Sequence, residues 1–194
     1  IDPTSSVGFV NQVSQNFDNV EQIIGFYLDE GFFTDSGTLT VGGFADKIPF
    51  DRLFHFHSDH PFNILMQNVA ISESNGYAHA QIPATKIHLT LDNYMAEGNP
   101  DDINELFKNY SNYQRVKNLL IEFKVNPSTS IKFKLEELEN QLRGFLNIGI
   151  VRTYFKSNPN LKRGEFNFGQ KFFTIFTYYY DPKSRMIGLG RRTN

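Results

Sequence analysis

The sequence predicts an α+β fold, with helices packed on one face of a bent antiparallel sheet. Three observations predict it. Val7, Val10, Val13, Phe17, Val20, Ile24 and Tyr27 recur at spacings of three and four, the apolar stripe of a helix or a jointed helix pair. A further helix start is written at Asn99-Pro100-Asp101-Asp102, where Asn suits the N-cap, Pro the first helical position, and the carboxylates the positive helix end. Most of the remaining chain alternates apolar and polar residues, with no strand-helix-strand rhythm that would build a parallel sheet.

In chain order, Asp18 and Glu21 give a capping-box-like spacing inside the first stripe, and Gly31 ends it as a C-terminal cap. Phe32-Phe33-Thr34, a turn at Asp35-Ser36-Gly37, and Thr38-Leu39-Thr40-Val41 read as a short hairpin. Residues 42–90 hold several prolines and all five histidines, and read as an insertion with short strands at Ala78 to Ile82 and Lys86 to Leu91. After the helix carrying Ile103, Leu106 and Phe107, strands are predicted around Leu119 to Val125, Ile131 to Leu135 and Phe145 to Phe155. A helical turn is placed at Glu136 to Arg143. Ser157 to Gly164 is a polar, basic loop. The chain then closes on one long aromatic strand from Phe166 to Tyr180, a turn at Asp181-Pro182-Lys183-Ser184, and a return strand to Leu189.

Composition narrows the function classes. A formal net charge of −2 gives no case for non-specific nucleic-acid binding, which needs a concentrated positive surface. The absence of cysteine removes disulfides, thiolate metal sites and a cysteine nucleophile. No apolar run reaches the roughly 18–20 residues of a membrane helix. The opening Ile1-Asp2-Pro3-Thr4 reads as a vector remnant in residues 1–4, with 5–194 a single domain.

Local motifs add a family resemblance. Phe9-Val10-Asn11-Gln12 and Phe17-Asp18-Asn19-Val20, continuing to Tyr27, are similar to the opening helices of the nuclear transport factor 2-like family. Asp102-Ile103-Asn104-Glu105-Leu106-Phe107 stands where that family's third helix precedes its long strands. Phe172-Phe173-Thr174-Ile175-Phe176 resembles a Phe-x-Arg-Thr-Phe strand of its TAP-type mRNA export receptor branch, with Thr174 and Ile175 replacing the Arg and Thr. The resemblance implies a cone: a bent antiparallel sheet wrapped on three helices, with a long insertion at about 42–90. It also implies non-catalytic binding without a cofactor, in a protein shuttling between nucleus, nuclear pore and cytoplasm. The implied partners are a small subunit of the same fold, met by Phe176, Tyr178 and Tyr180, and Phe-Gly repeats of nucleoporins. The repeats would enter a pocket of Val7, Val10, Pro182 and Met186; any RNA contact would be weak or indirect, and no membrane partner is implied.

One motif points elsewhere. His55-Phe56-His57-Ser58-Asp59-His60 resembles the His-x-His-x-Asp-His string of metallo-β-lactamase-like zinc hydrolases, where imidazoles and a carboxylate hold a hydroxide-generating metal. No histidine follows His88, so the later ligands of that family are missing. Asp101, Asp102 and Glu105 read as helix cap and solvated face. Lys162-Arg163 and Arg191-Arg192 read as short basic surface pairs.

Overall fold

The computed structural model describes residues 23–29, 36–42, 50–73, 78–109, 118–138 and 154–192. The strands through the first half are β1 (Ile24–Leu28), β2 (Gly37–Val41), β3 (Phe50–His57), β4 (Asn63–Leu65), β5 (Asn68–Ser72), β6 (Ala78–Pro83), β7 (Lys86–Leu89) and β8 (Ala96–Gly98). Helix α1 (Pro100–Phe107) follows, then β9 (Leu120–Asn126), β10 (Thr129–Lys134) and a 3-10 turn at Leu135–Leu138. The chain continues through β11 (Phe155–Ser157), β12 (Glu165–Phe168), helix α2 (Gln170–Ile175), β13 (Phe176–Asp181) and β14 (Met186–Arg192).

These elements form two compact units, one from residues 1–61 with 173–194 and one from residues 62–172. The first holds a sheet in the order β2-β1-β13-β14-β3, antiparallel throughout. Its register puts Leu39, Phe26, Tyr178, Leu189 and Phe54 in one apolar row across the strands, and Val41, Ile24, Tyr180, Ile187 and Phe56 in the next. Aromatic and β-branched side chains meeting across strands are what stabilises such a ladder. Phe173 adds a ring 4.5 Å from Phe26, and Phe26 stands 4.9 Å from Tyr178. On the opposite face Tyr179 lies over Gly25, where a Cβ would come within 2.8 Å of its ring. Glycine is therefore the residue that fits under this ring.

The second unit holds two sheets, β10-β9-β5-β6 and β11-β8-β12-β7-β4. Phe123 on the first meets Phe166 and Phe168 on the second, Phe133 meets Phe168, and Phe155 packs beside Phe166 and Phe168 within the second. Phe123 stands edge-on to Phe166 at 5.5 Å and to Phe168 at 5.1 Å between ring centroids. All five rings are buried, so facing sheets share one aromatic core. Asn99 caps α1 by accepting from the Asp101 amide at 3.0 Å, as its sequence predicts. Ile103, Leu106 and Phe107 form the buried side of this helix.

This architecture corrects the α+β cone. The described residues are mostly β, with fourteen strands in three sheets and two short α-helices, not three helices under a bent sheet. Ile24 and Tyr27, the end of the expected helical stripe, lie in β1, where backbone pairing with both β2 and β13 overrides a spacing that a strand also tolerates. The rest of that stripe, including Val7 and Val10, lies outside the described residues. The long aromatic strand is also broken. Gly169 ends β12, Gln170–Ile175 turn into α2, and only Phe176 onward is the hairpin strand, so the Phe172 to Phe176 strand motif is mainly helix. The expected insertion is no appendage, because residues 50–89 supply strands to all three sheets. Among the described residues no helix is long and apolar enough to cross a membrane.

Candidate functional site

The second unit contains one unusual crossing. Strands β7 and β8 are consecutive in sequence, yet β12 lies between them, parallel to β7 and antiparallel to β8. The connection at residues 90–95 must therefore arch over the end of β12.

Close backbone approach fixes this arch. The Thr90 amide donates to the Phe168 carbonyl at 2.9 Å, the Gln170 amide to Asn93 at 2.7 Å, and the Lys171 amide to Tyr94 at 3.1 Å. The Gln170 side chain donates to the Leu91 carbonyl at 2.8 Å, and the Asp92 amide to the Thr90 hydroxyl at 3.1 Å. A Cβ at residue 169 would collide with the Asn93 carbonyl, so only glycine lets β12 pass beneath the arch. The result is a loop held at both ends whose centre projects outward. Leu91 is 46% exposed and Tyr94 43%, with Asp92 exposed between them.

Two polar clusters brace the same unit. Glu97 on β8 is buried and accepts from Asn158 at 2.8 Å and Asn167 at 3.3 Å, with the Lys156 ammonium at 3.6 Å. Asp102, buried in the first turn of α1, accepts from the Arg163 guanidinium and from the Gly164 amide at 2.6 Å. Arg163 also reaches Glu105 at 2.9 Å, and these carboxylates hold its guanidinium above the ordinary value. Asp101, Asp102 and Glu105 thus pin the 158–164 loop to the helix through Arg163 and the Gly164 amide, whereas Lys162 contributes only its own backbone, donating its amide to Glu165 at 3.3 Å.

The sequence-predicted residues are dispersed. Pro182 and Met186 are half-buried at the β13–β14 turn, and Val7 and Val10 lie outside the described residues. Phe176, Tyr178 and Tyr180 are all buried in β13. Tyr178 donates its hydroxyl to the Pro61 carbonyl, and burial raises its phenol well above the ordinary range. His55 and His57 project exposed from β3, with Phe56 buried between them by strand alternation. His57 Nδ1 lies 3.1 Å from the Arg185 carbonyl, while Asp59 pairs with the Arg185 guanidinium at 3.1 Å. His60 is exposed, and among the described residues no three His, Asp or Glu side chains converge as a metal site.

The Leu91–Tyr94 arch was not singled out in the sequence. Its signal was the Asp92-Asn93 pair, turn chemistry directly after the apolar alternation of β7. No family model matches the chain, and no curated protein matches it.

Proposed function

We propose that this chain is a non-catalytic polypeptide-binding domain whose contact surface is the Leu91–Tyr94 arch. The observation that carries the reading is the pairing of exposure with restraint. Two large apolar side chains stand in water on a loop whose backbone is fixed by five hydrogen bonds. A pre-ordered apolar surface loses little entropy when it docks a ligand. Leu91 and Tyr94 offer a small apolar platform suited to an apolar or aromatic side chain of an extended segment. Asp92 and Asn93 add polar groups for its backbone.

Export receptors of the resembled family bind through a cone of three helices under one bent sheet, which the described residues do not form. Their Phe-Gly ligand chemistry supplies a first probe of the exposed Leu91 and Tyr94 side chains. The test is isothermal titration of a Phe-Gly-repeat peptide and a matched Ser-Gly peptide, followed by peptides selected from a random extended library. Weak binding that is lost in Leu91→Asp and Tyr94→Ser, with the circular dichroism unchanged, supports the reading. Peptides that bind both variants as tightly as the parent chain remove the arch from the account. Hydrolysis of the selected peptides would replace binding with catalysis.

A further inference from the structure

The edge strand β3 carries His55 and His57 exposed on one face of the first unit's sheet, with Phe56 turned to the other. Across the ladder, β14 sets Met186 opposite His57 and Gly188 opposite His55. The Ser58 amide donates to the Arg185 carbonyl at 2.8 Å, so Ser58 and Arg185 are a hydrogen-bonded pair. By alternation His57 and Met186 are a non-hydrogen-bonded pair, whose Cα atoms stand about 4.5 Å apart with their side chains close together. His55 lies two residues along the strand, about 6.8 Å away, and Gly188 puts no side chain beside it. Two imidazoles and a thioether therefore share one face, each within reach of a common point. One ring is also oriented. His57 Nδ1 lies 3.1 Å from the Arg185 carbonyl, which can only accept. Nδ1 thus carries the proton, and the neutral ring presents the Nε2 lone pair. A backbone carbonyl holding the far ring nitrogen in this way is the usual support of a metal-ligating histidine.

From these donors we infer that His55, His57 and Met186 form a binding site for a single copper(I) ion. The donor set selects the metal. The neighbouring carboxylates are engaged elsewhere: Asp59 pairs with the Arg185 guanidinium at 3.1 Å. Asp181, opposite Met186 on β13, accepts from the Ser184 hydroxyl at 2.6 Å and the Lys183 amide at 2.9 Å. What the face offers an ion is imidazole nitrogen and thioether sulfur. Zinc draws on thiolate, imidazole and carboxylate, and calcium and magnesium on oxygen. Thioether sulfur is soft and selects copper(I), which imidazole also suits. The Asp59 carboxylate offsets the Arg185 charge, so a singly charged ion meets little repulsion there. Met186 is half-buried and both histidines are exposed, which leaves the ion a way in from solvent.

The chain has no cysteine, so no thiol competes for the ion. Titration of the full chain with copper(I), kept reduced by ascorbate and reported by competition with ferrozine, reads affinity and stoichiometry. One ion per chain is expected. His57→Ala and Met186→Leu should each weaken binding by about tenfold or more. Both should leave the circular dichroism unchanged, since His57 is exposed and leucine conserves the volume of methionine. His60→Ala should bind as the parent chain does. X-ray absorption of the copper-loaded chain should show a sulfur neighbour that is absent in Met186→Leu. Zinc should bind more weakly than copper(I) and be insensitive to Met186→Leu. A chain that takes no copper from ferrozine overturns the proposal, as does equal affinity in Met186→Leu. Loss of binding in His60→Ala overturns the donor set by moving the ion to the turn after β3, and zinc binding tighter than copper(I) overturns the choice of metal.

Discussion

Replacing Gly169 by alanine tests how the arch is held. The added Cβ would collide with the Asn93 carbonyl oxygen and stand 2.7 Å from the Asn93 carbonyl carbon and 2.9 Å from the Met95 oxygen. All three are backbone atoms, so no side-chain rotation relieves the clash. Overpacking of this kind costs about 1–3 kcal/mol. If the arch lifts, the Gln170–Asn93 and Lys171–Tyr94 hydrogen bonds go with it, at about 0.5–1.5 kcal/mol each. The sum is about 2–6 kcal/mol, a large fraction of a domain's stability. Urea denaturation followed by circular dichroism reads the total. Amide exchange at Thr90, Gln170 and Lys171 shows whether the loss begins at the arch. A change below about 0.5 kcal/mol with protected amides would refute the crossing, because no packing with β12 under the loop accommodates a methyl there.

Other expectations follow from single contacts. Asn158→Ala removes the shorter amide donor to buried Glu97 and should cost about 1–3 kcal/mol, read from the denaturation midpoint. Arg185 sits at φ 54, so Arg185→Val should be less stable than Arg185→Gly by about 1–2 kcal/mol in the same assay, since a β-branched residue fits the left-handed region worst. Asp181 is partly desolvated, which alone would raise its pKa, but hydrogen bonds from Ser184 and the Lys183 amide outweigh this and hold it below the usual carboxylate value. A depressed carboxylate contributes stability above its unfolded pKa and loses it as pH falls through the folded one. Stability measured below about pH 4 should therefore fall less steeply in Asp181→Asn than in the parent chain. Tyr178 lies at the other extreme: its buried phenol should ionise, by absorbance at alkaline pH, only as the first unit unfolds.

The legibility of the fold follows the range of the forces involved. Helix α1 could be read from Asn99 and Pro100 because capping is local chemistry, complete within one turn of chain. The β13–β14 hairpin was legible for the same reason, with Asp181 bonding the Lys183 amide and Ser184 hydroxyl of its own turn. The break at Gly169 was hidden, since its cause is Asn93, distant in sequence, and Phe172 and Phe173 have the bulk of strand residues while serving as the buried side of a short helix. Residues 50–89 read as an insertion because β4 and β6 pair within the stretch, with β7 and β5, while the pairings that tie it to the rest are distant in sequence. β3 finds β14, β5 finds β9, and β7 finds β12. The histidine string was legible as a motif but not as geometry. Strand alternation puts His55 and His57 outward, and Asp59 is drawn to Arg185.

The arch remains the centre of the functional account, and its most direct test is where a bound peptide touches the chain. Amide chemical-shift mapping with the tightest library-selected peptide should concentrate the changes at residues 90–95 and at Gly169 to Lys171, which hold that loop in place. Changes confined to other strands, with the arch unmoved at saturation, would contradict the proposed site and with it the function proposed for this domain.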